Sequence, residues 1–182
     1  LIDDAEPSDG DEFALLQAAT LVGAFDRVAG LHDHSLEQTL LRLDERPTVI
    51  ALQALDSNMI RLPPTGEVGE VFEITQSQAG SLLVPSAGGG VDQVSLGEAP
   101  ALSLVGGTGY SIRFIDDVDF GDRHVLIRGA QIEVAAGASL SSAGDLTLFS
   151  NNGDISVNGA LTVGETLSLD ARKQVDLSGV ND

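Results

Sequence analysis

The sequence predicts a mainly β chain whose C-terminal third is a parallel β-solenoid, preceded by a small N-terminal helical piece. Three observations predict it. Between Arg123 and Asp182, short alternating triplets (Val125-Leu126-Ile127, Ile132-Glu133-Val134, Leu146-Thr147-Leu148, Ile155-Ser156-Val157, Leu161-Thr162-Val163, Leu167-Ser168-Leu169, Val175-Asp176-Leu177) are separated by Gly, Asn, Ala and Asp. The triplets recur at a period near 20 residues. The composition is rich in Gly, with 21, and poor in aromatics, with six Phe, one Tyr and no Trp. That mixture suits thin strands and repeated tight corners better than a bulky globular core.

At the N-terminus, Asp9 and Glu12 have capping-box spacing, and the acids sit where a helix start favours negative charge. Leu15, Ala18, Val22, Phe25 and Ala29 then recur at helical spacing, weakened by Gly23 and stopped at Gly30. Ser35 and Gln38 form a second capping box ahead of Leu36, Leu40 and Leu43, with Pro47 as the stop. Two short helices are therefore expected within residues 1–47, as a lid over the following strands or a docking element for another chain.

After Pro47 the periodicity changes, and residues 48–122 read as an irregular β-rich segment. Thr48–Gln53, Val71–Thr75, Leu82–Val84, Val94–Leu96, Leu102–Leu104 and Tyr110–Phe114 are the expected strands. Gly- and Pro-rich stretches at 63–66, 86–90 and 106–109 punctuate them. An acidic loop, Asp116–Asp122, leads into the third segment, residues 123–182.

Register arithmetic gives that segment its architecture. Val125 to Leu146, Leu140 to Leu161 and Leu146 to Leu167 are each 21 residues apart, and Ile155 to Val175 is 20. Three short strands per period is the size of one solenoid coil. Alternate apolar residues turn inward and stack strand on strand, so that Leu, Ile and Val form columns along the axis. Thr147, Ser156, Thr162 and Ser168 are expected to face water, and Gly and Asn are expected at corners needing left-handed or bulged backbone. A coil cannot bury its face alone, and the pattern runs to Asp182 without a polar capping coil. The expectation is a stack that continues beyond this chain or pairs end to end with another.

The stretch SSAGDLTLFSNNGDISVNGALTVGETLSLDARKQVDLSG resembles the haemagglutinin-type repeats of filamentous-haemagglutinin-like, two-partner-secreted bacterial adhesins. The resemblance covers about residues 123–182. It implies a right-handed parallel β-helix used as a rigid stalk or binding surface at the cell envelope. The first two-thirds of the chain lacks that family's opening strands and Asn-Pro-Asn-Gly-type motifs, so the secretion mechanism is not carried over.

Composition excludes several functions. With 28 acids against nine bases, the formal charge is −19, which disfavours nucleic acid and anionic membranes. The absence of Cys excludes zinc-thiolate sites, thiol catalysis and disulfides. No apolar run is long enough to span a bilayer as a helix.

Candidate chemistry is sparse. Asp116, Asp117, Asp119 and Asp122 are the best cation candidates, for calcium, which takes six to eight oxygen ligands. They lack a terminal bidentate Glu, and a solvated acidic turn explains them better. His32-Asp33-His34 lacks a third ligand at standard spacing, and His124 has no partner identifiable in sequence. Asp117, Asp119, Arg113 and Arg123 are the residues that a carbohydrate-active β-helix enzyme could use, but no aromatic sugar platform accompanies them. Gly106–Ser111 resembles half of a calcium-binding nonapeptide with Ser111 in the ligand position.

The expected function is therefore a non-enzymatic structural or adhesive segment of a bacterial surface or secreted protein. It would need no cofactor, calcium aside. Its partners would be further copies or other chains at the solenoid ends, and glycans. A carbohydrate-active enzyme and a calcium-dependent binding module are the alternatives.

Overall fold

The computed structural model describes residues 9–22, 39–62, 69–86, 89–107 and 109–179. Every regular element among them is a strand. The chain forms two compact units, Leu1–Ser57 and Asn58–Asp182.

The first unit corrects the expected helices. Residues Glu12–Gln17 form strand β1 and Thr39–Glu45 form β2, and both pair antiparallel with β3, Val49–Arg61. Pro47 ends no helix. It sits with Thr48 in the tight turn between β2 and β3, where Arg46 and Val49 exchange backbone hydrogen bonds. Proline's fixed φ suits a turn as well as a helix stop, so it does not discriminate between them. The deciding factor is non-local. Short isolated helices are marginal in water, whereas β3 supplies β1 and β2 with a ready ladder of backbone partners. The parts of the two helical readings between Gly23 and Gln38 lie outside the described residues.

The second unit is a parallel β-solenoid. After β4, Val71–Gln78, an antiparallel excursion runs through β5, Ser81–Pro85, and β6, Val91–Ser95. The first full turn then comprises β7 (Ala101–Val105), β8 (Ser111–Phe114) and β9 (Val118–Asp119). The second comprises β10 (His124–Gly129), β11 (Ile132–Val134) and β12 (Ser139–Ser142). The third comprises β13 (Leu146–Ser150), β14 (Ile155–Val157) and β15 (Ala160–Val163). A further turn begins with β16 (Leu167–Ala171) and β17 (Val175–Asp176).

The strands stack into three parallel walls: β7-β10-β13-β16, β4-β8-β11-β14-β17 and β9-β12-β15. All four register pairs read from the sequence are present: Val125 with Leu146, Leu146 with Leu167, Leu140 with Leu161, and Ile155 with Val175. The columns also extend upstream of Arg123. Leu102 lies under Val125, and Phe72, Ile112, Ile132 and Ile155 form one continuous column. These side chains are essentially inaccessible to water. Each fully buried Ile, Leu, Val or Phe contributes about 1.5–3 kcal/mol of transfer free energy, so the columns dominate stability.

The corners differ from the expectation. Gly144, Gly153, Gly159, Gly164 and Gly179 are absent from the positive-φ glycines. They are small for another reason. A Cβ on Gly144 would lie 2.7 Å from the Arg123 carbonyl oxygen, and one on Gly159 or Gly164 would overlap the Ala138 or Ala143 carbonyl of the preceding coil. Close coil-to-coil approach, not left-handed backbone, selects glycine there. Gly137 shows the opposite case, with φ of 86° and open space around its Cα.

These two glycine classes predict different costs. Gly159→Ala should lose about 1–3 kcal/mol or more, because rigid backbone must move. Gly137→Ala should lose about 1–2 kcal/mol, from left-handed strain alone. Chemical denaturation of the two variants checks the order; a Gly159→Ala protein as stable as the parent contradicts the packing.

Candidate functional site

The acidic stretch Asp116–Asp122 is built into a wall of the solenoid. Val118 and Phe120 point inward and are buried, and Val118 pairs with Leu140. Alternation therefore turns Asp117 and Asp119 outward. Asp116 Oδ1 accepts its neighbour's N–H, from Asp117, at 2.9 Å. Asp119 Oδ1 accepts the Gly121 N–H at 3.0 Å and the Ser141 hydroxyl at 3.0 Å. Ser139 donates its hydroxyl to Asp117 Oδ1 at 2.7 Å. These carboxylates thus cap their own loop and bond the serines one coil above. Asp122 is exposed at the following corner. The four aspartates are not among the described side chains that bring three ligand atoms within 4.8 Å of one another.

The two arginines weighed with them act elsewhere. Arg113 Nε lies 3.3 Å from Glu133, and its Nη1 lies 3.5 Å from Glu73. All three occupy one outward column, so the contacts are an exposed Glu-Arg-Glu ladder across successive coils. Arg123 donates to the Phe120 carbonyl at 2.9 Å and to the Gly97 carbonyl, stitching the corner between β9 and β10. Neither is drawn into a cleft with Asp117 and Asp119. Of the other candidates, His32, Asp33, His34 and Thr108 lie outside the described residues.

One cluster does converge, and it centres on His124. Its Nδ1 lies 3.0 Å from Asp145 Oδ2, and Glu165 joins them so that one ligand atom from each lies within 4.8 Å of the others. The side chains of His124 and Asp145 are only 14% and 16% exposed, while Glu165 faces solvent. Coil stacking makes this cluster. His124 opens β10, Asp145 immediately precedes β13, and Glu165 lies two residues before β16. Asp145 is held in orientation by the coil above, because its Oδ1 accepts the Thr166 N–H at 3.0 Å. Asp154 makes the equivalent bond to the Gln174 N–H at 3.1 Å.

Asp145 and Glu165 belong to no local metal-binding sequence motif. The available signal is spacing: His124, Asp145 and Glu165 follow one another by 21 and 20 residues, the coil period itself. Comparison with protein-family models, curated proteins and solved structures found no match. The arrangement can hold a pair of opposite charges when His124 is protonated, or present one imidazole nitrogen and carboxylate oxygens to a shared ligand.

The intercoil role of the outward acids is measurable. Asp119→Ala removes the acceptor of Gly121 N–H and the Ser141 hydroxyl at an exposed site, so a loss of about 0.5–1.5 kcal/mol is expected by denaturant titration. A loss within error of zero would show that these bonds do not tie the coils.

Proposed function

We propose that this chain is a structural and adhesive segment of a bacterial surface or secreted protein, which works by stacking solenoid coils. The observation that carries this reading is the state of the last coil. The columns that are sealed in the second and third turns become open in the fourth: Leu167, Val175 and Leu177 are 40%, 38% and 42% exposed. β16 and β17 each have a parallel neighbour on one side only among the described residues. Unpaired backbone groups beside open apolar columns form a template for another parallel strand layer. The proposed occupant is a further coil of the same kind, continuing this chain or contributed by another.

The resemblance of residues 123–182 to haemagglutinin-type repeats supports an extracellular or cell-surface setting. The absence of cysteine and the high acidity are compatible with it. A right-handed coil is proposed on the same resemblance. It also follows the strong preference for right-handed crossovers between parallel strands of one sheet.

Edge stacking is opposed by the self-repulsion of a chain with a formal charge of −19, and salt screens that repulsion. Association measured by sedimentation velocity should therefore rise with protein concentration and with ionic strength. Leu167→Lys combined with Val175→Lys should abolish it while leaving the β-rich circular dichroism spectrum intact. A protein that stays monomeric at high concentration and high salt would contradict self-stacking.

A further inference from the structure

We propose that His124, Asp145 and Glu165 form a binding site for a divalent transition-metal cation of the zinc class. The donor set is one imidazole nitrogen and two carboxylates, a combination that suits zinc and its neighbours better than calcium. The spacing fits. Metal–ligand bonds of about 2.0–2.1 Å place neighbouring donors about 2.8–3.0 Å apart around an octahedral ion and about 3.3–3.4 Å apart around a tetrahedral one. His124 Nδ1 and Asp145 Oδ2 already stand 3.0 Å apart. The third donor, on the solvent-facing Glu165 side chain, lies within 4.8 Å of the other two, a gap of the size that a change of rotamer spans.

Preorganisation is built in. Asp145 is fixed by the Thr166 N–H through the oxygen it does not present to His124, the kind of outer hydrogen bond that orients a metal-ligating carboxylate. Two of the three donors are shielded by the stacked coils. The third is exposed, which leaves an entry path and an open coordination position for water or a ligand group from another molecule. The imidazole faces an ambiguous pair of neighbours: Nδ1 lies 3.0 Å from Asp145 Oδ2 and 3.2 Å from the Asp145 backbone nitrogen. One nitrogen cannot donate to the carboxylate and accept from the N–H at once. A cation beside Nδ1 and Oδ2 would use the lone pair of the nitrogen and the charge of the carboxylate together. Because the three residues belong to three successive turns, the ion would clamp the turns to one another.

Isothermal titration calorimetry of the full chain with ZnCl2, beside thermal melting with and without the ion, tests the site. His32→Gln/His34→Gln is introduced as the background, to remove the His-Asp-His stretch as a competing ligand. One zinc ion per chain and a raised melting temperature are expected. Glu165→Gln, on an exposed side chain that does not threaten folding, should weaken binding about tenfold or more, and so should Asp145→Asn. The melting shift that zinc produces is read against each variant's own metal-free melt. If zinc produces neither heat nor a melting shift in this background, or if Glu165→Gln binds it as tightly as the parent, the cluster is an intercoil ion pair only and the proposal fails.

Discussion

Neighbouring coils must lie at the spacing of hydrogen-bonded strands, about 4.7–4.9 Å, and everything else in the solenoid follows from holding that distance all the way round. Along the walls, backbone ladders enforce it. At the corners the ladder thins to single coil-to-coil bonds, such as Gly164 N–H to the Ser142 carbonyl and Gly179 N–H to the Val157 carbonyl, and the chain must bend within a few residues while keeping contact with the coil below. Glycine answers that need at Gly144, Gly159, Gly164 and Gly179, where any side chain would strike the backbone of the preceding turn. Once the corners close, the inward columns come into register by themselves. Leu102, Val125, Leu146 and Leu167 stack on one wall, and Phe72, Ile112, Ile132, Ile155 and Val175 on another.

Polar groups follow the same stacking logic on the outside. Repetition puts like positions directly above one another, so acids left unpaired would form ladders of like charge. The chain interleaves partners instead. Arg113 lies between Glu73 and Glu133, Arg128 sits 5.4 Å from the ring centre of Phe149, and serines of β12 meet Asp117 and Asp119. Asp145 and Asp154 reach upward to backbone N–H groups of the following turn. The His124 cluster belongs to this pattern, distinguished by its mixed donors and by the shielding of two of them. Toward β16 and β17 the burial falls away among the described residues.

Much of this was readable in the sequence, because the coil period is short and strict. Four register pairs could be written down from residue numbers, since a solenoid's non-local contacts recur at a fixed sequence distance. The N-terminal unit has no such period. Leu15, Ala18 and Val22 fit a helical stripe, yet Phe13-Ala14-Leu15-Leu16 became an edge strand because β3 offered a pairing surface, which no local window shows. The acidic stretch read as a loop because its two-residue strand is anchored by single inward residues, Val118 and Phe120, too few to show as alternation. His124 lacked a visible partner because Asp145 and Glu165 are remote in sequence. They become neighbours only when the coil period is applied to polar positions as well as to apolar ones.

The register of the coils is tested most directly by crosslinking, which the cysteine-free chain makes clean. Glu133 and Ser156 are outward partners on adjacent coils. Paired strands bring their Cα atoms within the 4.4–6.8 Å range that a disulfide spans, whereas a partner two residues along falls at its limit or beyond. Oxidation of Glu133→Cys/Ser156→Cys should give a rapid, near-complete intramolecular disulfide, and Glu133→Cys/Asn158→Cys should stay largely reduced under the same conditions. Equal crosslinking of the two pairs, or preference for the second, would contradict the stacked register on which the solenoid depends.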